Sequence, residues 1–290
     1  MDNNGNFTLE IVIVGMIILL ILGITALANE LSQEKISKSA ENNNIEKTIS
    51  EVADTLINDP GTPINWEDYK SIRVGLAIVN GDENIIPNSV SYFKFLELGR
   101  DYDNLVTKKV FNNKFHSSME LIPRETSISS VKIGSNNVQD ANIFSVNRVV
   151  KCDFFKKYAI CDFSNDGKCN HNHNQKDHSC NYLKLFKGNL KKTDYYLLLD
   201  DDEVSNCKYT IDTTHFKSNT AKTPSKIIYL NNELKGLFES NETSSVVFIH
   251  FNKNDAKAVL VGVPKDFDKS KLNYHYFTTQ TCEFVITAWS

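Results

Sequence analysis

Residues 11–28 read IVIVGMIILLILGITALA, an unbroken run of eighteen residues without a charged side chain. As a helix, this run would be about 27 Å long at ~1.5 Å per residue, which is just enough to cross the hydrocarbon core of a bilayer. A buried helix of a globular domain would carry a polar stripe on one side, and this run has none. The run therefore predicts a helix that inserts into a membrane.

The ten residues before this run, MDNNGNFTLE, carry a second signal. Gly5 precedes Asn6, and Glu10 is the last residue before the apolar run. The arrangement resembles prepilins of the type IV family, especially archaeal precursors with class III signal peptides. In that family a short leader ends in Gly, and Glu is the fifth residue of the mature chain. The segment NFTLE is similar to the family pattern Gln-x-Ser-x-Glu, with Asn replacing Gln and Thr replacing Ser.

The resemblance implies a leader peptide over residues 1–5, cleavage between Gly5 and Asn6 by a prepilin peptidase, and a transmembrane and assembly helix over residues 6–28. An ionised Glu at the head of a lipid-buried helix is costly without a partner. The resemblance therefore implies that Glu10 of one subunit pairs with the α-amino group of a neighbouring subunit. The implied partners are membrane lipid and other pilin-like subunits, contacted through the N-terminal helix.

Two other interpretations of the N-terminus remain open. The first is an uncleaved anchor, with Glu10 at the membrane interface. The second is a secretory signal peptide, because Ala26-Leu27-Ala28 fits an A-x-A cleavage site. An apolar run of 7–15 residues preceded by a basic residue is typical of signal peptides. The present run is longer, and no Lys or Arg precedes it.

The helical pattern continues beyond the apolar run. Apolar residues recur at helical spacing at Leu31, Ile36, Ala40, Ile45, Ile49, Val52, Ala53, Leu56 and Ile57. The triplet Asn42-Asn43-Asn44 forms helix poorly and predicts a kink or break. Asp59-Pro60-Gly61 ends the pattern. The sequence thus predicts an amphipathic helix over residues 29–59.

A head domain is predicted to follow the helix. The Pro-Gly-x-Pro turn, Asn65-Trp66 and the segment VGLA at 74–77 are similar to archaeal pilin-like surface proteins, and this resemblance extends to residue 110. Trp66 is predicted to be a core residue that seals the base of the helix. The resemblance implies that the helix is half in lipid and half docked on this head.

Strand-forming residues dominate the rest of the chain. Predicted strands cover 127–133, 143–150, 195–199 and 282–289, and segments 245–251 and 256–263 are predicted to form a hairpin. The expected fold class is α+β, with a long N-terminal helix packed on a β-rich head. The first part of the ectodomain is predicted at 60–150, and a cysteine-containing, β-rich part at 151–290.

The chain has six cysteines, an even number that favours disulfides in an exported protein. Fifteen pairings are possible, and the sequence does not choose among them. The predicted disulfide residues are Cys152, Cys161, Cys169, Cys180, Cys207 and Cys282.

Segment 161–180 also contains weak metal ligands. An exposed loop pinned by disulfides is the preferred interpretation, because the segment lacks the C-x2-C and H-x3-H spacings typical of zinc sites. Calcium at Asp162-x-Ser164-x-Asp166-Gly167 or at the acidic run 200–203 is a further alternative. No cofactor is predicted. The weak zinc ligands are Cys169, His171, His173, His178 and Cys180.

The charge pattern and the motifs argue against nucleic-acid binding and against catalysis, although a surface enzyme stays a third alternative because catalytic groups can be assembled by folding. The 32 basic and 36 acidic residues give a net charge of −4, which does not favour nucleic-acid binding. The common nucleotide, hydrolase and metalloprotease motifs are missing, so no enzyme is predicted. We expect a single-pass membrane protein with an extracellular C-terminal domain, in which Asn241 of the sequon Asn241-Glu242-Thr243 is a candidate glycosylation site. It would be a minor or tip subunit of a surface filament or, alternatively, a solitary adhesin-like anchored protein.

Overall fold

The structure is a computed structural model, which describes residues 4–69, 73–136, 142–164, 178–215 and 221–289, with the backbone alone for residues 4–11, 221 and 222. The described residues form three α-helices: α1 (Asn4–Asn58), α2 (Tyr92–Arg100) and α3 (Asn231–Gly236). They also form fifteen strands: β1 (Ile78–Val79), β2 (Ile85–Ile86), β3 (Ser89–Ser91), β4 (His116–Pro123), β5 (Val131–Gly134), β6 (Ile143–Asp153), β7 (Ala159–Asp162), β8 (Cys180–Phe186), β9 (Thr193–Leu199), β10 (Lys208–Asp212), β11 (Ala221–Lys222), β12 (Ile227–Tyr229), β13 (Ser244–Phe251), β14 (Ala258–Pro264) and β15 (Thr279–Trp289).

Helix α1 is a single element of 55 residues. It is helical through Asn42-Asn43-Asn44, so the predicted break is not present. Propensity is a weak influence, and the apolar residues that follow the triplet hold the helix through tertiary packing. The helix ends where predicted, because Pro60 has no amide hydrogen and Gly61 adopts a φ of 87°.

A five-stranded sheet in the order β3-β6-β15-β4-β5 forms the head, which we define as residues 45–153 and 279–289. Its neighbouring strands are antiparallel, except for the parallel pair of β3 and β6. The second half of α1 packs on one face of this sheet. The apolar residues of α1 buried in this contact are Ile49, Ala53, Leu56 and Ile57.

The chain leaves the head after β6 and returns to it at β15, so everything between these strands is an insertion, residues 154–278, which we call the insert. It contains two four-stranded sheets, the middle sheet β12-β9-β14-β7 and the outer sheet β11-β10-β13-β8. The predicted boundary between residues 150 and 151 stays a prediction. The start of the insert lies close to that boundary, but the C-terminal strand belongs to the head sheet.

The two central strands of the middle sheet, β9 and β14, have apolar side chains buried on both faces. In β9, Leu197 and Leu199 face the core between the two sheets of the insert, whereas Tyr196 and Leu198 belong to the core of the head. Strand β14 alternates in the same way, with Leu260 on one side and Val261 on the other. The head and the insert therefore share one continuous apolar interface.

Aromatic rings fill the junction between the insert and the head. Phe155 lies at its centre, with ring centroids 5.5 Å from Tyr92, 5.2 Å from Phe267 and 5.6 Å from Tyr276. Edge-to-face pairs at such distances stabilise a contact beyond the area that they bury. This packing joins the insert firmly to the head.

The fold class is α+β, as predicted, with the long helix packed on β-sheets. The predicted hairpin is wrong. Strands β13 and β14 are consecutive in the chain but lie in different sheets, because β13 pairs with β8 and β10 whereas β14 pairs with β7 and β9. The polar connection between them crosses from the outer to the middle sheet.

Candidate functional site: the projecting helix

The first half of α1 extends beyond the head and contacts no other part of the described chain through its apolar side chains. Residues 12–44 are solvent-exposed, apart from the half-buried Gly15. Fourteen large apolar side chains are exposed here, including Met16 at 66%, Leu19 at 70% and Leu22 at 60%. Soluble monomers rarely expose an apolar surface of this size, so another apolar phase or partner must cover it.

The exposed apolar segment has the properties of a membrane span. Among the described residues, α1 is the one helix long and apolar enough to cross a bilayer. Its apolar stretch of eighteen residues has a mean hydropathy of 2.6, and no residue of that stretch is buried. By length and composition, a signal sequence near an N-terminus would also meet this criterion. The helix therefore has the length and composition of a single membrane span or of an export signal.

A polar stretch separates the apolar run from the head. Residues 29–44, which we call the stalk, are all exposed and rise about 24 Å at ~1.5 Å per residue. Lys38 and Glu34 form an ion pair at 2.7 Å across one turn of this helix. The burial of an α1 side chain against the head begins at the half-buried Ile45. The helix thus has an apolar run, an exposed polar stalk and a docked half.

Arg148 of β6 fastens the docked half of α1 to the head sheet. Its Nε lies 2.7 Å from Asp54 Oδ1 and a terminal nitrogen lies 3.1 Å from Oδ2, while the same nitrogen donates to Ser50 Oγ at 2.6 Å. The hydrogen bond from Arg148 lowers the pKa of Asp54. Sequence reasoning missed this contact. The sequence feature that could have indicated this contact is an Arg on the inward face of β6, between the buried Val146 and Val150.

The turn after α1 is closed around Trp66. The Trp66 ring is buried, and its Nε1 donates to the Gly75 carbonyl at 2.8 Å. A Cβ at Gly61 would collide with the Trp66 ring, and one at Gly75 would collide with the Asp59 carbonyl. The prediction that Trp66 seals the helix base is therefore confirmed.

A buried lysine lies beneath the same turn. Lys94 of α2 is 4% exposed, and its Nζ donates to the Pro60 carbonyl at 2.7 Å. Burial lowers the pKa of Lys94, whereas the carboxylates of Glu67, Asp153 and Asp59 raise it. Burial also raises the pKa of Asp153 to about 6. This charged group ties the end of α1 to the N-terminal turn of α2, and no sequence motif indicated it.

The predicted cleavage and pairing residues lie at the very start of α1. Gly5, Asn6 and Glu10 have helical backbone, and their side chains lie outside the described residues. Cleavage after Gly5 and charge pairing by Glu10 therefore stay predictions. Their backbone is continuous with the exposed apolar run, so a cut after Gly5 would leave that run attached to the head.

Five of the six predicted disulfide cysteines are described, and all five are buried. Cys152 and Cys282 lie in the head sheet, and the other three lie in the insert. No disulfide is present among these five, and Cys169 lies outside the described residues. The pairing of the cysteines therefore stays a prediction.

The two described cysteines of segment 161–180 are buried at its two ends, and most of the predicted exposed loop between them lies outside the described residues. Cys161 and Cys180 belong to strands β7 and β8. Cys161 Sγ lies 3.6 Å from the Tyr182 carbonyl, and Cys207 Sγ lies 3.4 Å from the Glu203 carbonyl. Buried thiols of this kind pack as small apolar groups beside backbone acceptors.

The candidate metal ligands are only partly described. Cys169, His171 and His173 lie outside the described residues, as do Asp166 and Gly167 of the calcium alternative. In the described part of the chain, no group of three or more His, Cys, Asp or Glu side chains is placed to hold a metal ion.

The acidic run 200–203 is engaged by lysines. Lys226 pairs with Asp201 at 2.6 Å, and the Lys253 ammonium contacts both carboxylate oxygens of Glu203, at 2.7 and 2.8 Å. Glu203 is buried; burial by itself raises its pKa, but the hydrogen bonds from Lys253 and from the Lys257 amide lower the pKa overall. These contacts fix the run as a structural turn between β9 and β10.

The predicted glycosylation site is accessible. Asn241 and Thr243 are exposed in the connection between α3 and β13, where the Glu242 amide contacts the Glu239 carbonyl at 3.2 Å. This geometry is compatible with modification at Asn241, which stays a prediction.

A cleft opens where the insert meets the outer face of the head sheet. Its volume is about 880 Å³. Lys151, Lys156 and Lys157 lie on its walls together with Asp153 and Asp162. The mixture of both charges with hydroxyl and amide groups suits a polar ligand, but its described residues do not form a catalytic arrangement that we recognise.

The chain matches no family model, and neither a curated protein nor a solved structure is found to be similar to it. The function of the chain is therefore inferred from the physical properties of the helix and the head.

Proposed function

We propose that this chain is a pilin-like cell-surface protein, a minor or tip subunit of a type IV pilus-like filament that displays an extracellular interaction domain. A prepilin peptidase removes residues 1–5, and the apolar run stays with the head. In the membrane, lipid covers this run; in a filament, the helices of neighbouring subunits cover it.

The observation that carries this proposal is the exposure of the apolar run at the end of a continuous helix. A signal sequence needs no rigid connection to the exported domain, whereas α1 continues through the stalk into the core of the head. A continuous helix that is apolar at one end and docked at the other transmits position from a membrane or filament core to the head. The stalk sets the distance between them.

Glu10 is the residue through which the proposal specifies assembly. After cleavage, the α-amino group of Asn6 would carry a positive charge within one helical turn of Glu10. Pairing this amine with the Glu10 carboxylate of another copy neutralises both charges in an apolar environment, where each is costly alone. The pair favours one axial register between neighbouring helices.

The test compares Glu10→Gln with Glu34→Gln, a matched loss of one acid from the exposed stalk, in the cells that make the protein. Cells are sheared, and the protein is quantified in the filament and membrane fractions. Loss of one charge pair is expected to reduce the amount of the Glu10→Gln protein in filaments by about tenfold, equivalent to ~1.4 kcal/mol, while its membrane fraction is retained. The Glu34→Gln protein should behave as wild type. Equal incorporation of both variants, or the absence of the wild-type protein from filaments, contradicts the proposal.

A second candidate function is that of a solitary anchored surface protein that binds a polar ligand, and the cleft between insert and head favours it. Thr281 lines this cleft, and Thr287 lies on the same strand and the same sheet face away from it. Under this alternative, Thr281→Trp abolishes binding of the full chain in detergent micelles to whole cells, whereas Thr287→Trp leaves binding intact. Equal binding by both variants contradicts it.

A further inference from the structure

Two cysteines lie at the root of the insert. Cys152 is the second-last residue of β6, the strand after which the chain leaves the head. Cys282 is the fourth residue of β15, the strand through which the chain returns. The segment between them contains the whole insert. A covalent link between these residues would close the insert into a loop at its base.

The register of the sheet places both thiols on the same face. Strands β6 and β15 are antiparallel neighbours, with Cys152 opposite Gln280 and Cys282 opposite Val150. The two cysteines are thus diagonal neighbours, offset by two residues. Both are fully buried and belong to the core between the sheet and α1.

The separation of the two residues is close to the range of known disulfides. Diagonal neighbours on antiparallel strands have Cα atoms roughly 7–8 Å apart and Cβ atoms somewhat closer. Disulfides bridge Cα separations up to about 6.8 Å. The two thiols already contact each other through a side-chain hydrogen bond, so the bond needs only a small further approach of the two strands.

The two thiols also affect each other chemically. Burial raises the pKa of the Cys152 thiol well above its usual value, and the neighbouring Cys282 raises it further. Both thiols are reduced in this structure. By contrast, Cys207 lies in the insert, with the Glu203 carbonyl and the Thr223 hydroxyl as its neighbours.

We propose that Cys152 and Cys282 form an intramolecular disulfide in the exported protein, which staples the base of the insert to the head sheet. This bond reduces the fifteen possible pairings of the six cysteines to three, and it rests on the extracellular placement of the head in the proposed function.

The bond forms by thiol–disulfide exchange with a small-molecule disulfide outside the cell, which is the oxidant. One cysteine thiolate attacks this disulfide, and a mixed disulfide forms as the first small thiol leaves. The second cysteine then attacks the protein sulfur of the mixed disulfide and releases the second small thiol. Two protons and two electrons pass from the cysteines to the oxidant. Because both thiols are buried in the finished sheet, exchange takes place before the sheet closes.

The staple would act mainly on the unfolded chain. Closing a loop that includes the whole insert removes conformational freedom from the unfolded state, and the effect grows with loop length. The insert would then stay attached in register with the head even when its own sheets open. An exposed surface domain gains resistance to unfolding from such a link.

The test is differential alkylation of the full chain in membranes from the cells that make it. Free thiols are blocked with one reagent under denaturing conditions, disulfides are reduced, and the released thiols receive a second reagent. The proposal predicts the second label on Cys152 and Cys282, and a linked peptide pair by mass spectrometry before reduction. In the Cys282→Ser variant, Cys152 should take the first label, whereas Cys207→Ser should leave the link intact. First label on both cysteines in the wild type overturns the proposal.

A second experiment, refolding in vitro, shows why the disulfide is missing if it is not found in cells. The full chain in detergent is refolded from urea with a mixture of oxidised and reduced glutathione. If the pair links here but not in cells, the head is not in an oxidising compartment, and the localisation in the proposed function fails with it. If it links in neither, the geometry of the pair is wrong, and the proposed function is unaffected.

Discussion

Two parts of this chain are apolar without interruption, but the side chains of one are exposed and those of the other are mostly buried. Residues 12–28 of the apolar run are exposed along α1, apart from the half-buried Gly15, whereas β14 lies inside the middle sheet with five of its seven residues buried. Their side chains are of the same chemical kind. The difference is length and position: seven residues find partners in neighbouring strands and in the head, and eighteen extend beyond the head.

Whether an apolar segment is buried or exposed depends on which other groups can cover it. Strand β14 lies between β7 and β9, with one core on each side, so its apolar side chains complete a structure that the chain itself provides. The apolar run has no such cover in the described chain. A membrane or other subunits must provide it, and substitutions in the two regions should therefore affect different measurements.

The largest expected effect is on folding. Leu198 in β9 is fully buried against the core of the head, and Leu198→Ala should lower the free energy of unfolding by about 4 kcal/mol. Leu19 is 70% exposed, and Leu19→Ala should change that free energy by less than about 0.5 kcal/mol. Urea unfolding in detergent, followed by tryptophan fluorescence, measures both. A comparable loss in the Leu19→Ala variant would mean that the run packs on the folded head.

The next effect is on membrane retention. Leu19→Arg should weaken insertion by about 3 kcal/mol, because a charged side chain near the centre of a lipid-spanning helix is costly. Ile36 in the stalk is 68% exposed, and Ile36→Arg serves as the matched control. Alkaline extraction of membranes should release the Leu19→Arg protein and retain the control. Equal retention of both proteins would show that the run does not lie in lipid.

A smaller effect concerns a polar contact within the insert. Glu203 is buried, but its partner Lys253 is 42% exposed. Glu203→Gln should therefore lower the free energy of unfolding by about 2 kcal/mol, which is less than the loss of a fully buried ion pair would cost. The pKa of Glu203 is lowered in the folded protein. Its stabilising effect is therefore present above the unfolded pKa of about 4.3 and is lost as pH falls through the lower folded value.

The pH dependence of the difference between wild type and Glu203→Gln gives the measurement. The free-energy difference at pH 7 should shrink towards pH 3. Asp153, whose pKa is raised to about 6, has the opposite effect and favours the folded state as pH falls, but it is common to both proteins and cancels. A difference that is constant with pH would show that the Glu203 charge contributes nothing.

The smallest effect is expected where α1 docks on the head. Arg148→Ala removes the bidentate contact with Asp54 and should cost about 1 kcal/mol, because Asp54 is half exposed and solvent screens the pair. Ala53, beside it on α1, is fully buried, and Ala53→Ser is a matched test of the apolar part of the same contact. The midpoints of urea unfolding give the change in stability of the Arg148→Ala and Ala53→Ser variants. A larger loss for Arg148→Ala than for Leu198→Ala would reverse the proposed order of apolar and polar contributions.

The sequence predicted elements whose signals are local. The apolar run, the end of α1 at Asp59-Pro60-Gly61, the burial of Trp66 and the final strand all follow from neighbouring residues. The α+β class follows from the same signals. The projecting first half of α1 was predictable because an apolar run without a polar stripe has no place in a globular core.

The features that the sequence did not predict depend on contacts between distant residues. Strand β6 pairs with β15, more than a hundred residues later, so no local pattern indicates that the insert interrupts the head sheet. The hairpin was mispredicted for the same reason, since β13 and β14 each prefer partners from elsewhere in the chain. The burial of Lys94 is also a tertiary effect.

The central claim is that the exposed apolar run stays attached to the head after the leader is removed. The most direct test is the intact mass of the mature protein extracted from membranes with detergent, combined with sequencing of its first residues. A chain that begins at Asn6 agrees with this account. A chain that begins at Asn29 and stays in the aqueous fraction contradicts it, because the run would then be a discarded export signal.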